Sequence, residues 1–379
     1  MKSSKTDLAP VPLSNPDLIE EDAAAVAAVL RSDRLSIGPI VEQFEDAVAK
    51  KAACKYGIAV NSGTSGLHLC VRAMGIQEGD EVITTPFSFV ATTNCLLFER
   101  ATPVFVDIDD TYNMNPDLIE AAITPRTKAL LPVEVFGNTA HFDAYKSIAK
   151  KHNLLLLEDC CEALGASLGG KPAGSFGEAG VFAFYPNKQI TTGEGGLIVT
   201  NSEEIRDLCR SMRNQGRDTT AWLLHARLGY NYRLSEINAM LGLRQMSRID
   251  EIIEKRRRAA GFYNEALAGI RGIHLPPMAE PETASWFVYV IRLADAYTAT
   301  QRDSVMDFLR RNLIGCNPYF VPIHTQPYVQ SLLGTKEGDF PVTERMSART
   351  MALPFFGNIT QQQVQRVADV LEEALDTLR

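Results

Sequence analysis

Lys188 ends an apolar segment, Gly180–Phe184, that is closed by Tyr185 and Pro186. After it a glycine-rich turn (Gly193, Gly195, Gly196) opens a second apolar run, Leu197–Thr200. A lysine presented at the end of a buried strand is open to desolvation. That lowers its pKa and makes the amine a nucleophile toward carbonyls. A second candidate is Asp159, which with Glu158 follows the unbroken apolar run Leu154–Leu157. Such a run reads as a strand buried on both faces of a parallel sheet, with Asp159 at its C-terminal end. Open α/β sheets bind ligands at that edge, so the two side chains could meet over one ligand. The third candidate is the turn Asn61–Gly66, between a short strand and a helix with Leu67, Val71 and Met74 on one face. Gly63, Thr64 and Ser65 there offer free amides, hydroxyls and the positive end of a helix dipole, a setting for a phosphate. No Gly-Lys-Ser/Thr follows and no GxGxxG is present, so neither common nucleotide loop applies.

Each feature alone has an ordinary reading: a surface lysine, a loop or capping carboxylate, a capped helix. In combination they are the groups that pyridoxal 5'-phosphate requires. A lysine forms a Schiff base with its aldehyde. An aspartate keeps its ring nitrogen protonated, so that the ring acts as an electron sink.

The elements that must position these residues follow from hydrophobic periodicity. Strands are expected near 56–60, 81–85, 103–107, 128–134 and 154–158, with helices between them. That alternation predicts a mainly parallel sheet covered on both faces, an α/β architecture. The strands near 180–185 and 196–200 follow each other through the lysine loop, and at least one could run antiparallel. Helices are expected over 17–32, 40–53, 202–213 and, as one long stretch, 234–267. The remainder reads as a smaller C-terminal α+β domain, with strands over 285–293 and 316–321 and helices over 299–313 and from about 360. The expected division is an N-terminal arm over 1–16, a large cofactor-binding domain over 17–250 and a small domain over 251–379.

The 379 residues carry a formal net charge of −8 and are 45% hydrophobic, enough for a sizeable core and without the basic footprint of nucleic-acid binding. The basic run Lys255–Arg258 reads as a solvated helix face. No run reaches the length of a membrane span and the N-terminus lacks an apolar signal core, so a cytoplasmic protein without membrane association is expected. Seven cysteines and six histidines form no CxxC or HExxH pattern, so no metal site is indicated. The adjacent Cys160 and Cys161 read as small buried thiols.

The ordered motifs Asn61–Leu67 (NSGTSGL), Thr85–Ala91 (TPFSFVA), Glu158–Gly165 (EDCCEALG), Lys188–Gly196 (KQITTGEGG) and Gly229–Glu236 (GYNYRLSE) resemble the DegT-type family. These are pyridoxal-phosphate-dependent nucleotide-sugar aminotransferases of the aspartate-aminotransferase fold, fold type I. The resemblance runs from about Gly38-Pro39 to Leu353-Pro354. It implies that Lys188 is the Schiff-base lysine, that Asp159 partners the pyridine nitrogen, and that Gly63, Thr64 and Ser65 cradle the phosphate. It implies that Phe89 stacks on the cofactor ring, where the residue alone could equally be core packing. By the same resemblance, Asn231 reaches the phosphate of a neighbouring subunit in a homodimer with shared active sites. His324 would lie near the substrate mouth.

Two positions depart from the family's common pattern. Ala183 stands where many members have a phosphate-binding serine. Glu162 stands where many have glutamine or histidine; facing the cofactor's phenolic oxygen, it is expected to be protonated or turned away. Some perosamine-forming members look similar at this position, which points toward a 4-keto-6-deoxyhexose. The resemblance thus implies transamination of a nucleotide-linked ketosugar with L-glutamate as donor, through pyridoxamine 5'-phosphate. Competing readings are a fold-type-I desulfurase or lyase, which would convert free amino acids without a ketosugar, and a non-catalytic cofactor-binding regulator.

Overall fold

The computed structural model describes residues 9–217, 224–278 and 283–378. The large domain begins with helices α1 (Glu20–Leu30) and α2 (Pro39–Lys51), then strand β1 (Tyr56–Val60) and helix α3 (Gly63–Ala73). Strands β2 (Glu81–Thr84), β3 (Thr102–Phe105), β4 (Thr127–Leu131) and β5 (Leu155–Asp159) alternate with helices α4 (Ala91–Leu97), α5 (Pro116–Ala122) and α6 (Phe142–His152). A short hairpin, β6 (Ser167–Leu168) and β7 (Lys171–Pro172), precedes β8 (Ala179–Ala183), β9 (Gly196–Thr200) and α7 (Glu203–Arg213).

Seven of these strands form one sheet in the order β1-β9-β8-β5-β4-β2-β3. The pairs β2/β3, β2/β4, β4/β5 and β5/β8 are parallel, while β9 runs antiparallel to both β1 and β8. The expected mainly parallel sheet is therefore present, with the reversal at the strand that leaves the lysine loop. Because β5 and β8 are parallel, Asp159 and the segment leading to Lys188 emerge at the same sheet edge.

The helical stretch expected over 234–267 is two helices, α8 (Glu236–Met246) and α9 (Ile249–Leu267). The second helix serves both domains. Ile249, Ile252 and Ile253 join the large-domain core, whereas Ala259, Ala260, Tyr263 and Leu267 pack into the small-domain core. Between them Arg256 is buried, which corrects the reading of Lys255–Arg258 as a solvated face. Its Nη1 donates to the carbonyls of Trp286 and Phe287, and its Nη2 donates to the carbonyl of Lys188 at 2.8 Å.

The small domain carries a three-stranded antiparallel sheet, β10 (Ile273–His274), β11 (Tyr289–Leu293) and β12 (Thr350–Leu353). Helices α10 (Ala299–Arg311), α11 (Pro327–Leu333), α12 (Pro341–Ser347) and α13 (Gln361–Asp376) accompany it. The strand expected over 316–321 is absent; only Asn317 bridges Ala352. Pro318 has no amide to donate to a ladder. The sheet position belongs to β12, four residues that are too few to show a period. Ser285–Val288, expected within a strand, leave the sheet instead. Of the expected arm, residues 1–8 lie outside the described residues. Val11 is buried, and its carbonyl accepts from Gly315 at 2.9 Å.

Beneath the end of β5 lies a buried acid pair. Glu158 accepts from the amides of Gly174, Phe176 and Gly177 at 2.9, 2.7 and 2.7 Å. Burial nevertheless pushes its carboxyl up to about 7, against the pull of those amides. Glu134 is fully buried, neither of its carboxyl oxygens is hydrogen-bonded among the described residues, and burial pushes it well above the carboxylate range, with Glu158 adding to the shift. Glu134, Glu158 and Cys160 place potential ligand atoms within 4.8 Å of one another. The Glu158 oxygens face N–H donors, however, a setting that suits an anion rather than a cation. Folded Glu134 retains a proton that the unfolded chain releases above its ordinary pKa. Its favourable contribution is therefore complete below that pKa and is lost progressively as pH rises toward the folded value. Glu134→Gln is expected to raise stability at pH 8 by roughly 1–3 kcal/mol, on the order of one or two pH units of the protonation cost that glutamine does not carry, with the gain shrinking toward pH 5. Thermal unfolding at both pH values tests this, and a variant no more stable than wild type at pH 8 refutes it.

Candidate active site

The carboxyl edge of the sheet and the aromatic wall of the small domain enclose a cavity of about 440 Å³. Lys188, Asp159, Glu162, Gly63, Thr64 and Phe89 all line it, so most of the residues singled out in the sequence meet in one place. What allows this is close backbone approach. A Cβ on Gly196 would lie 2.5 Å from the Ser62 carbonyl, and one on Gly63 would lie 2.8 Å from Cys161 Sγ and 2.9 Å from Ala183 Cβ. The turn before α3, the residue pair after β5 and the end of β8 can converge only because those two positions lack side chains.

Asp159 is buried and held at both oxygens. Thr92 Oγ1 donates to its Oδ2 at 2.7 Å and the Cys161 amide donates to its Oδ1 at 3.2 Å. Thr92 in turn pairs with Ser88 at 3.0 Å. Lys188 lies in the turn after β8, with its amide donating to the Tyr185 carbonyl at 2.9 Å. Its Nζ rests 3.8 Å from the Phe287 ring centroid and 3.5 Å from Glu162 Oε1. Glu162 Oε2 accepts from the Phe136 amide at 2.8 Å. Burial pushes the Glu162 carboxyl above its ordinary range, while the Lys188 ammonium and the Phe136 amide oppose the rise. Burial likewise pushes the thiols of Cys160 and Cys161 well above the ordinary thiol range, which disfavours their thiolate forms.

The phosphate turn is arranged differently from the expectation in one respect. Ser65 Oγ donates to Asn61 Oδ1 at 2.6 Å and pairs with Ser62 Oγ, so its hydroxyl is engaged within the turn and does not line the cavity. Ser62, which caps α3 by accepting from the Ser65 amide at 3.1 Å, lines the cavity instead. Its place in front of the helix was the available signal. The eleven-residue α3 directs its first-turn amides at this end of the cavity. Phe89 is 63% exposed at the cavity lip, which excludes the core-packing alternative.

His324 does not reach the mouth. It is fully buried, its Nε2 bonds Glu344 Oε1 at 2.9 Å, and its ring packs edge-on against Phe340. The buried position comes from the turn Ile323–Thr325, whose amide at Ile323 is tied to the Pro86 carbonyl. Asn231 is exposed and outside the lining of its own chain's cavity; its backbone bridges Asn214. No local pattern marks Phe287, Tyr319 and Phe320, which form the small-domain wall. They lie in irregular chain with no period to reveal which side chains face inward.

The residues present fit pyridoxal 5'-phosphate. A glycine-walled cradle at a helix N-terminus, a buried carboxylate with both oxygens fixed and a single lysine face one cavity. Among the described residues no helix is long and apolar enough to cross a membrane.

Comparison with known proteins agrees with this geometry. The model of the DegT/DnrJ/EryC1/StrS aminotransferase family matches residues 16–372. GDP-perosamine synthase of Caulobacter vibrioides is 37% identical, over 90% of this chain and 91% of its own. Among solved structures, S. venezuelae DesV in complex with a ketimine intermediate superposes with a TM-score of 0.90 at 33% identity, covering 97% of this chain and 98% of that one. Helicobacter pylori PseC, an aminotransferase of pseudoaminic acid biosynthesis, gives 0.92 at 30% identity, covering 97% and 100%. The chain belongs to the DegT/DnrJ/EryC1/StrS aminotransferase family, a family of pyridoxal-phosphate-dependent sugar aminotransferases.

Proposed function

We propose that this enzyme transfers an amino group from L-glutamate to a nucleotide-linked 4-keto-6-deoxyhexose, as a cytoplasmic homodimer. The observation that carries the reaction type is the convergence of Lys188, Asp159 and the α3 N-terminus on one cavity. Similarity to GDP-perosamine synthases of Caulobacter vibrioides and of Escherichia coli O157:H7 supports the sugar class.

When bound, the cofactor supplies an electrophilic aldehyde and a ring that accepts an electron pair. The remaining work falls to side chains. Ser62, Thr64 and the first amides of α3 bind the phosphate. Phe89 at the lip covers one side of the ring and keeps water from it. Asp159, fixed by Thr92 and the Cys161 amide, is placed to hold a proton on the ring nitrogen. Lys188 Nζ, once free, takes a proton from the donor's α-carbon and returns it on the other side of the exchange, as base and then acid. Glu162 Oε1 lies close enough to steady that ammonium, and its other oxygen is occupied by the Phe136 amide. The nucleotide anchors the sugar away from the reacting carbon, so binding energy orients the ketone.

Three outcomes test this reading. Borohydride reduction of the holoenzyme and peptide mapping should place the pyridoxyl label on Lys188, and Lys188→Ala should hold cofactor without a covalent bond and lose turnover; a label on another lysine overturns the assignment. Asp159→Asn should fold normally yet slow the half-reaction with glutamate by at least roughly a hundredfold, since a neutral amide cannot stabilise the protonated ring. A near-wild-type half-reaction rate in that variant removes Asp159 from the role. Asn231 is assigned to the partner's phosphate, so mixing Asn231→Asp with Lys188→Ala subunits should restore activity from two inactive parents. In the mixed dimer one site then carries both defects and the other none. Demonstrated subunit exchange without recovered activity would falsify that assignment.

A further inference from the structure

His68, on α3, is buried, and both of its ring nitrogens are engaged. Nε2 lies 2.7 Å from Glu99 Oε1, and Nδ1 lies 3.2 Å from the Tyr232 hydroxyl oxygen. An ionised carboxylate only accepts, so Nε2 carries the proton. Burial lowers the His68 pKa against the pull of Glu99, which favours the neutral ring, and Nδ1 then accepts from the Tyr232 hydroxyl. Arg72 Nη1 reaches Glu99 Oε1 and Oε2 at 3.1 and 3.0 Å and also donates to the Tyr230 hydroxyl oxygen at 3.0 Å. Glu99 therefore holds both tyrosines of the sequence Tyr230-Asn231-Tyr232, one through Arg72 and the other through His68. The two tyrosine rings stack with centroids 4.8 Å apart, and the His68 ring packs against both.

The backbone of this segment is fixed as well. The Tyr230 amide donates to the Met212 carbonyl at 2.6 Å and the Tyr232 amide to the Arg213 carbonyl at 2.9 Å. The Asn61 amide, at the start of the turn before α3, donates to the Tyr232 carbonyl at 3.0 Å. In extended chain, alternate side chains share a side. Tyr230 and Tyr232 face α3 and the chain just after α4, so Asn231 between them points the other way, and it is exposed. His68, Arg72 and Glu99 do not line the active-site cavity. Their polar groups are spent instead on the two neighbours of Asn231. Apolar side chains could pack α3 against this segment without burying polar groups. A hydrogen-bonded network adds what apolar packing lacks, a fixed direction.

We propose that Glu99, His68 and Arg72 are positioning residues: they clamp Tyr230 and Tyr232 and so set the direction in which Asn231 leaves its subunit toward the partner's cofactor phosphate. The proposal rests on the assignment of Asn231 made above. Its test uses full-length holoenzyme of the wild type, Glu99→Gln, Tyr232→Phe and Asn231→Ala, and of the first two variants each combined with Asn231→Ala. The dissociation constant of pyridoxal 5'-phosphate is read by equilibrium dialysis, with thermal unfolding followed alongside. Glu99→Gln should weaken cofactor binding by roughly threefold to tenfold, as for one lost hydrogen bond, and Tyr232→Phe by less. In the Asn231→Ala background neither change should weaken it further, because the clamp then has nothing to aim. A cluster that serves only to stabilise the fold would lower the melting temperature equally in both backgrounds and would multiply the binding losses. Multiplied losses therefore overturn the proposal and leave the Asn231 assignment standing, as do Glu99→Gln and Tyr232→Phe variants that both bind cofactor like the wild type. Should Glu99→Gln fail to fold, Tyr232→Phe, which removes a single oxygen, decides the matter by the same comparison. An Asn231→Ala variant that holds cofactor as tightly as the wild type refutes the Asn231 assignment and the clamp with it.

Discussion

The site depends on a close contact of backbones at Gly63 and Gly196. There the turn that precedes α3 meets the exit of the lysine loop, with the end of β8 and Cys161 against its other side. A methyl group at either position would overlap main-chain or fixed side-chain atoms. The turn before α3, the strand-end acid and the lysine would then no longer share a cavity. The antiparallel strand β9 creates this contact. It is inserted between β1 and β8, and so brings the start of β9 against the end of β1.

A second tie joins the two domains at the chemistry. Arg256, inside the helix that belongs to both cores, donates from its two terminal nitrogens to the carbonyls of Lys188, Trp286 and Phe287. No carboxylate lies in ion-pair range of it among the described residues, and burial lowers its pKa to about 10. A guanidinium is the side chain best suited to that place, because it remains charged despite desolvation and offers several donors in a rigid plane. The lysine loop and the aromatic wall are thereby held in one register, and the Lys188 ammonium rests on Phe287 as a consequence.

Beneath the site, stability yields to architecture. Glu158 is consumed in holding the loop 174–177 against β5, and Glu134 beside it has no partner for either oxygen among the described residues. Buried carboxyls so arranged cost free energy at neutral pH. They also lie directly below the strand end that presents Asp159, whose own oxygens are both satisfied.

The alternating strands and helices and the parallel edge are legible in the chain's own pattern, as are Lys188, Asp159 and the turn at Gly63, which meet at one cavity. Those signals are local: an unbroken apolar run, a proline after a strand, small residues before a helix. The chain also carries the motifs that mark the family. Long-range packing set what local signals do not encode. His324 was drawn into the interior by Glu344 and Phe340, and Ser65 turned its hydroxyl to Asn61 while Ser62 faced the cavity. Arg256, one member of an apparently solvated basic run, became buried because α9 passes between two cores. β12 and the Phe287–Tyr319–Phe320 wall were invisible because a four-residue strand and irregular chain have no period. Their places are set by distant partners: β11 pairs with β12, and Thr350 holds the Tyr319 carbonyl at 2.5 Å.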